Sequence, residues 1–409
     1  MKQGGFYKKS MRDVPLDDKT VLLRADYNVP LENGEIKDDY RIRSSVPTVE
    51  ALLERGCKVV IIAHLGRPEG KFVSEFSLEP VATRLSQLLE RPVIFVEDCV
   101  GDKVAMAVKN ASKKSVLLLE NVRFYPGDET NDPDFAKELA VSSQASYFVQ
   151  DGFGVAHRAQ ASTSAITQFL PSVAGLLLEK EVTSISSAME RPKRPLVAVM
   201  GGAKISDKIP LVERFVAVAD KIIIGGAMAN NFLKYQGFPI GKSLAEDGVD
   251  EVIKGIYETA RAKVGEENIK EFIIIPEDVA TAKEISPAAE RVNKEASTVS
   301  DDDIILDIGE KTMSRIDREL DGVGTVIWNG TLGYSELSQF AHGSARLALF
   351  LATHPEITSI IGGGDTADFV LHWDAKEGKS FTLVSTGGGA SLELMAGEKL
   401  PGVEALMDA

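Results

Sequence analysis

Short apolar runs set a rhythm along the chain. In the first half they fall at Thr20–Arg24, Lys58–Ala63, Pro92–Val96, Val116–Leu119 and Ala145–Val149. Runs this short, apolar throughout rather than alternating, suit strands covered on both faces. Most of the stretches between them carry a helical pattern. In Ser77–Glu90, for example, Leu78, Val81, Leu85, Leu88 and Leu89 share one face behind a serine near the helix start. The second half repeats the rhythm at Leu196–Met200, Lys221–Ile224, Phe272–Ile275, Ile304–Ile308, Thr325–Trp328, Ser359–Ile361 and Phe381–Val384. Alternating strand and helix patterns predict an α/β fold with mostly parallel, doubly wound sheets, one unit following the other. Between the halves, a long helical segment over 175–190 lies between Pro171 and the pair Pro192 and Pro195, and reads as the connector. The expected division is a first domain over 1–174, a connecting helix over 175–190 and a second domain over 191–394.

Composition narrows the partners. A chain of 409 residues exceeds the size at which a single core stops growing, so two domains are expected. The net charge of −15, from 61 acidic and 46 basic residues, argues against nucleic acid or an anionic membrane. Small anions stay open, because a local cluster of Arg and Lys sets the sign of a cleft. Cys57 and Cys99 are too few for a disulfide framework and lack zinc-ligand spacing. Met1 to Ser10 has charge but no apolar core of a leader, and no stretch reaches membrane-spanning length. The expectation is a soluble cytoplasmic protein.

In open α/β sheets, ligands bind beyond the carboxyl ends of the strands. In the first half those ends carry cations and small polar groups: Asp26 and Asn28, then Arg41 and Arg43, His64 and Arg67, Arg123, and His157 with Arg158. Several guanidinium forks on one sheet edge suit phosphate and carboxylate groups. In the second half the strand ends carry glycine instead, at Gly201-Gly202, Gly225-Gly226, Asn329-Gly330, Gly362-Gly363-Gly364-Asp365-Thr366 and Gly387-Gly388-Gly389. Successive N–H groups at such turns make anion-binding nests, and five of them point to a nucleotide polyphosphate. Asp365 is the carboxylate best placed to meet a Mg²⁺ on those phosphates, with a helix N-cap as its alternative role.

The central turn, Gly201-Gly202-Ala203-Lys204-Ile205-Ser206-Asp207-Lys208, is expected to lead straight into a helix with Lys204 and Lys208 on one face. Two cations at that spacing repel unless an anion lies between them, and N–H groups at the helix start would point at that anion. Competing motifs are missing. Gly237-Phe238-Pro239-Ile240-Gly241-Lys242-Ser243 is one residue short of a P-loop and follows no strand, and no dinucleotide glycine fingerprint follows the first strand. No nucleophile elbow, zinc-protease or protein-kinase set appears. His342, His354 and His372 have no metal-ligand spacing.

Eight segments together resemble the phosphoglycerate kinase family along nearly the whole chain. They are Arg24-Ala25-Asp26-Tyr27-Asn28-Val29-Pro30-Leu31, His64-Leu65-Gly66-Arg67-Pro68, Glu120-Asn121-Val122-Arg123-Phe124, Phe153-Gly154-Val155-Ala156-His157-Arg158-Ala159, Gly201 to Lys208, Trp328-Asn329-Gly330, Gly362 to Ala367, and Ser385-Thr386-Gly387-Gly388-Gly389-Ala390-Ser391. The resemblance implies two Rossmann-like domains joined by a helical hinge, with a tail over about 395–409 packing back on the first. It implies 3-phosphoglycerate or 1,3-bisphosphoglycerate on the first domain, held by Asp26, Asn28, Arg41, His64, Arg67, Arg123 and Arg158. It implies Mg²⁺ with ATP or ADP as the other substrate on the second, held by Gly201, Lys208, Gly225, Ile305, Glu336, Gly363, Gly364, Asp365 and Thr366. Glu336 would take the ribose and Asp365 the metal. Arg41, Lys204, Lys208 and the helix starts at Gly364 and Gly388 would stabilise the phosphoryl group in flight.

The chain also departs from the family pattern. Thr331 stands where Pro is usual, Tyr334 and Ser335 are atypical, Ile305 replaces a Gly that gives the base room, and Asp301-Asp302-Asp303 replaces a less charged segment. Gln150 and Gln160 replace a frequent Asn and His near the first-domain site. The implied reaction is reversible phosphoryl transfer between 1,3-bisphosphoglycerate and ADP, by hinge closure, in a cytoplasmic monomer. The rivals are a silent homologue that binds phosphorylated ligands, a kinase of altered base preference, and a periplasmic-type binding protein. Neither nucleic acid nor membrane is an expected partner.

Overall fold

A computed structural model describes residues 6–409; the start of the charged Met1–Ser10 stretch lies outside the described residues. The chain divides into two compact units, Met1–Thr183 with Glu398–Ala409, and Ser184–Gly397. The helix Leu176–Glu190 runs through the boundary.

In the first unit six strands form one parallel sheet. Its spatial order is Val93–Val96, Val116–Leu119, Lys58–Ile62, Thr20–Arg24, Tyr147–Gln150 and Ser172–Ala174. At the central strands both faces are buried, which is why those runs are apolar throughout. Val21, Leu23, Val59 and Ile61 enter one core cluster, whereas Leu22, Val60, Ile62 and Phe148 enter the other. Helix Glu79–Leu88 is shorter than its pattern suggests, and buries Val81 and Leu85. Strand order reverses between Thr20–Arg24 and Tyr147–Gln150, so the crevice beyond those two carboxyl ends is where a ligand belongs. The last residues return to this unit: Gly402 N–H bonds Ala156 O at 2.8 Å and Met407 N–H bonds Ser172 O at 3.0 Å.

In the second unit the parallel order is Ile273–Ile274, Lys221–Ile224, Leu196–Met200, Thr325–Asn329, Thr358–Gly362 and Leu383–Val384. Numbered along the chain, this is the 3-2-1-4-5-6 arrangement of dinucleotide-binding sheets, with its switch point between Leu196–Met200 and Thr325–Asn329. One expected member is elsewhere. Ile304–Ile308 belongs to a small antiparallel sheet in which Asp278–Ala282 lies between Val292–Glu295 and Ile304–Ile308. Its partners are polar or small, so no apolar run announced them. The acidic run before it is structural, for Asp303 is buried and pairs with Lys294 at 2.6 Å and Lys283 at 2.8 Å. No helix among the described residues is long and apolar enough to cross a membrane.

Candidate active site

At the switch point of the first sheet, the polar residues hold one another. Asp26 is buried, and its Oδ2 accepts from Arg41 Nη1 at 2.9 Å while Oδ1 accepts from the Asn28 N–H at 3.1 Å. Asn28 Oδ1 takes the Gly66 N–H at 2.9 Å, which ties the loop after Lys58–Ile62 to the loop after Thr20–Arg24. Arg123, also buried, donates to Gly66 O at 2.9 Å. Arg158 Nε donates to His157 Nε2 at 3.2 Å, and Arg67 is exposed.

His64 departs from the expected set of cations. It is buried, and burial first, then the charges of Arg24, Arg123, Arg41 and Arg158, push its pKa well below the ordinary value. The ring is neutral. Its Nδ1 faces Arg24 Nη2 at 3.3 Å; since a guanidinium only donates, Nδ1 accepts and the proton sits on Nε2. Arg24 is the guanidinium in contact with the ring, while Arg123, Arg41 and Arg158 act on it through their charge. Arg24 is a further residue of this site, beyond those the strand ends point to. It is fully buried, donates to Ser162 Oγ at 2.9 Å and to Ala25 O, and burial lowers its pKa to about 10, so it stays charged at neutral pH. The signal was a charge closing an otherwise apolar buried strand.

The glycine turns of the second unit serve two different purposes. Gly201 N–H bonds Asn329 O at 2.9 Å, Gly202 N–H bonds Thr331 O at 2.9 Å, Gly225 N–H bonds Met200 O at 2.7 Å and Gly226 N–H bonds Leu332 O at 3.0 Å. These donors are spent on one another and do not form nests. The glycines are needed for close approach: a Cβ on Gly201 would lie 2.1 Å from Thr331 O. The Gly225-Gly226 turn opens the helix Gly226–Tyr235 with its own two donors so occupied, and two further turns open Gly364–Trp373 after Gly363 and Gly389–Ala396 after Gly388. Their first N–H groups have no intrahelical acceptor and carry the positive end of the dipole. Thr366 is buried beneath the first of them, its hydroxyl already accepting the Gly330 N–H at 2.7 Å.

The central turn is also corrected. Helix begins only at Ile209, after one tight turn over Ser206–Lys208, so Lys204 and Lys208 do not share a helix face. Lys204 is exposed, whereas Lys208 is tucked back with Nζ on Gly201 O at 3.0 Å. Burial lowers the Lys208 pKa to about 8 against the pull of Asp365 and Asp207. The Ile205 and Ser206 N–H groups, expected to face an anionic ligand, donate instead to Glu246 Oε2 at 2.6 and 3.1 Å.

Beside this turn lies a cavity of about 370 Å³, with Gly202, Gly226, Ile305, Tyr334, Glu336 and Asp365 among its lining. Gly201, Lys208, Gly225, Gly363, Gly364 and Thr366 are not in that lining; they stand behind or beside it. Leu244, Ile285 and Tyr334 are large exposed apolar side chains, and all three border this cavity, as suits a planar base. Ile305 is half-buried and packs against the Leu233 and Val279 cluster, so it forms a wall. Asp365 and Glu336 are exposed carboxylates on its rim. No group of three metal-ligating side chains occurs among the described residues; His354 and His372 bond carbonyls of their own helical turns.

The family profile described as phosphoglycerate kinase matches residues 11–398. The phosphoglycerate kinase of Dictyoglomus turgidum is 43% identical over 398 residues, covering 97% of this chain and 98% of that protein. That of Picosynechococcus is 44% identical over 404 residues, with 98% of each covered. The solved phosphoglycerate kinase of Coxiella burnetii superposes with a TM-score of 0.84 at 38% identity, covering 97% of this chain and 98% of that one. That of Pyrococcus horikoshii gives 0.81 at 31% identity, with the same coverage. Such likeness over the full length of both partners settles the membership: the chain belongs to the phosphoglycerate kinase family.

Proposed function

We propose that the chain's phosphoglycerate kinase activity, reversible phosphoryl transfer between 1,3-bisphosphoglycerate and ADP, runs with the phosphoglycerate on the first unit and the nucleotide on the second. Asp26, Asn28, Arg41, His64, Arg67, Arg123 and Arg158 hold the phosphoglycerate. The observation that supports this half is the buried cluster at the switch point, where Arg41 pairs with Asp26 at 2.9 Å, Arg24 meets His64 at 3.3 Å and Arg123 donates to Gly66 O at 2.9 Å, so that cations and N–H donors gather at one sheet edge. The neutral His64 offers an Nε2–H donor there without adding charge.

Gly201 and Gly225 shape the nucleotide side, Ile305 walls the base and Glu336 meets the ribose. Lys208, Gly363, Gly364, Asp365 and Thr366 line or support the phosphates. The donor set suits Mg²⁺, which needs one or two carboxylates with the rest of its shell from phosphate oxygens and water; Asp365 is exposed on the cavity rim in the first turn of its helix. When bound, that ion neutralises phosphate charge. Both nucleophiles of the reaction are ionised at neutral pH, so no general base is required. What the chain supplies is alignment and charge: Arg41, Lys204, Lys208 and the helix starts at Gly364 and Gly388 face the phosphoryl group in transit. Direct transfer needs reacting atoms about 3–3.5 Å apart, and the reading includes hinge closure on the 175–190 segment. The reading also includes a cytoplasmic monomer.

A coupled assay with 3-phosphoglycerate and Mg-ATP, run beside Mg-GTP, tests it. Turnover that falls with Lys204→Ala and with Arg41→Ala supports the roles given. Binding of both substrates without turnover would make the chain a silent homologue, and turnover with GTP alone would change the nucleotide.

A further inference from the structure

The turn that carries Lys204 has little of its own to hold it. Residues 201–205 are irregular, and regular helix waits until Ile209, which precedes Pro210. The Lys204 ammonium is exposed and forms no hydrogen bond or ion pair among the described residues. A flexible four-carbon stem on an unsupported turn is a poor way to place a charge, because each loose dihedral spreads the ammonium over a larger volume.

One side chain from elsewhere in the unit supplies the support. Glu246 Oε2 accepts from the N–H groups of Ile205 at 2.6 Å and Ser206 at 3.1 Å, and Oε1 accepts from Ser206 Oγ. Three donors on two consecutive residues converge on one carboxylate, directly after Lys204. Glu246 is itself anchored. Its N–H donates to Asn231 Oδ1 at 2.9 Å, and two residues earlier Leu244 O accepts from Asn230 Nδ2 at 2.9 Å. Asn230 and Asn231 are buried on the helix Gly226–Tyr235, and Leu244 borders the nucleotide cavity. The carboxylate is therefore delivered by a fixed strut. Burial works against its charge, but the Ser206 and Ile205 hydrogen bonds and the nearby Lys204 keep its pKa below the usual carboxylate range.

We infer that Glu246 is a positioning residue for phosphoryl transfer: by clamping the Ile205–Ser206 backbone from the cavity wall, it fixes where the Lys204 ammonium meets the transferring group. The inference rests on the role proposed above for Lys204. The clamp also links the two ends of the nucleotide site, since the segment from Leu244 to Glu246 touches the base cavity at one end and the Lys204 turn at the other.

The test is steady-state kinetics on Glu246→Ala, Glu246→Gln, Lys204→Ala and the double variant Glu246→Ala/Lys204→Ala, each checked by thermal unfolding. Glu246→Ala is expected to lower kcat about tenfold to a hundredfold, less than removing the charge itself, with KM for both substrates within about twofold. Glu246→Gln recovers part of the loss, because its remaining oxygen still accepts both N–H groups. The double variant is no slower than Lys204→Ala alone, since a clamp with nothing to position has no effect. A merely structural role would instead multiply the two losses, and that result overturns the inference. So does a Glu246→Ala enzyme within about twofold of the parent in kcat, or one that is faster, which would mark Glu246 as a competitor for the phosphoryl site. If Lys204→Ala keeps full activity, the role of Lys204 falls and the inference with it; if Lys204→Ala is slow and Glu246→Ala normal, only the inference falls. Should Glu246→Ala fail to fold, Glu246→Gln and Ser206→Ala carry the same comparison.

Discussion

Nucleotide binding should take up protons above neutral pH if Lys208 meets the polyphosphate. Its ammonium rests on Gly201 O at 3.0 Å, and burial lowers its pKa from 10.5 to about 8 despite Asp365 and Asp207 nearby. An arriving polyphosphate would add negative charge to that of Asp365 and Asp207 and should return the group to its ordinary range. At pH 7 the free site is then about nine-tenths protonated and at pH 8.5 about one quarter, whereas the liganded site is charged at both. Binding of Mg-ADP should therefore take up about 0.1 proton at pH 7 and about 0.75 at pH 8.5. The nucleotide's own phosphate ionisation, with a pKa of about 6, is complete over the upper part of that range. Because the free state must gain a proton, affinity falls as pH rises through the free-site pKa, by about tenfold between pH 7 and pH 9. Titration calorimetry in buffers of different ionisation enthalpy reads the proton count, and Lys208→Met should abolish its rise with pH. Equal uptake at both pH values in the parent, or an unchanged rise in Lys208→Met, would refute the reasoning. In the unliganded protein the sign reverses. Between about pH 8 and pH 10.5 the unfolded chain binds more protons than the folded one, so stability grows as pH rises through that window.

Arg41→Ala should cost about 2–4 kcal/mol of transition-state stabilisation, seen in kcat. Arg41→Lys should not restore it, because Nη1 is taken by Asp26 Oδ2 and Asn28 O and only a guanidinium has further nitrogens to offer an anion; a change in KM alone would remove Arg41 from that role. Asp151 is buried, and burial raises its pKa to about 7 although Thr48 and the Leu177 and Leu178 N–H groups pull the other way. A folded state that keeps the proton to higher pH loses stability as pH climbs from about 4 to about 7. Asp151→Asn should remove that slope in denaturant unfolding and be the more stable form at pH 8 by a few kcal/mol; parallel slopes would refute this. Ile305→Ala should cost about 1–2 kcal/mol of stability and lower KM for ATP by opening the cavity wall. An unchanged KM would mean that the side chain does not meet the base.

Central strands were legible because burial on both faces leaves the sequence no freedom. Val59-Val60-Ile61-Ile62 must be apolar at every position when alternate residues enter opposite cores. Where a strand has only one demanding face, or pairs at an edge, that constraint relaxes. Val292–Glu295 pairs at an edge and carries Asn, Lys and Glu, and Ser172–Ala174 is an edge strand of three residues; Asp278–Ala282 is central and buried, yet carries Asp and Thr because Asp278 accepts from Thr312 and Thr281 donates to Val292 O. Nothing in their composition separates them from loops. Ile304–Ile308 shows the converse error: its apolar run was visible, but the partner that decides its sheet was not.

At the site the same distinction separates residue type from residue state. Glycine at a βα turn permits either an exposed row of N–H donors or the close approach of a second backbone, and the sequence writes both with one letter. Only the partner chooses. Asn329 and Thr331, brought in by a strand far along the chain, take the donors of Gly201 and Gly202 for structure, while the turns at Gly363 and Gly388 open helices whose first N–H groups have no intrahelical acceptor. Histidine is ambiguous in the same way. His64 looks like one more cation in a row of arginines, yet those arginines are what deprive it of its proton. Glu246 lies furthest from legibility, because it acts on backbone groups 41 residues earlier and any residue type would present those N–H groups. Chemistry that depends on a side chain's identity can be read along the chain. Chemistry that depends on what occupies a backbone donor or a counter-charge appears only when the fold has brought the occupants together, and the Lys204 turn, specified by its letters but held by Glu246, contains both kinds.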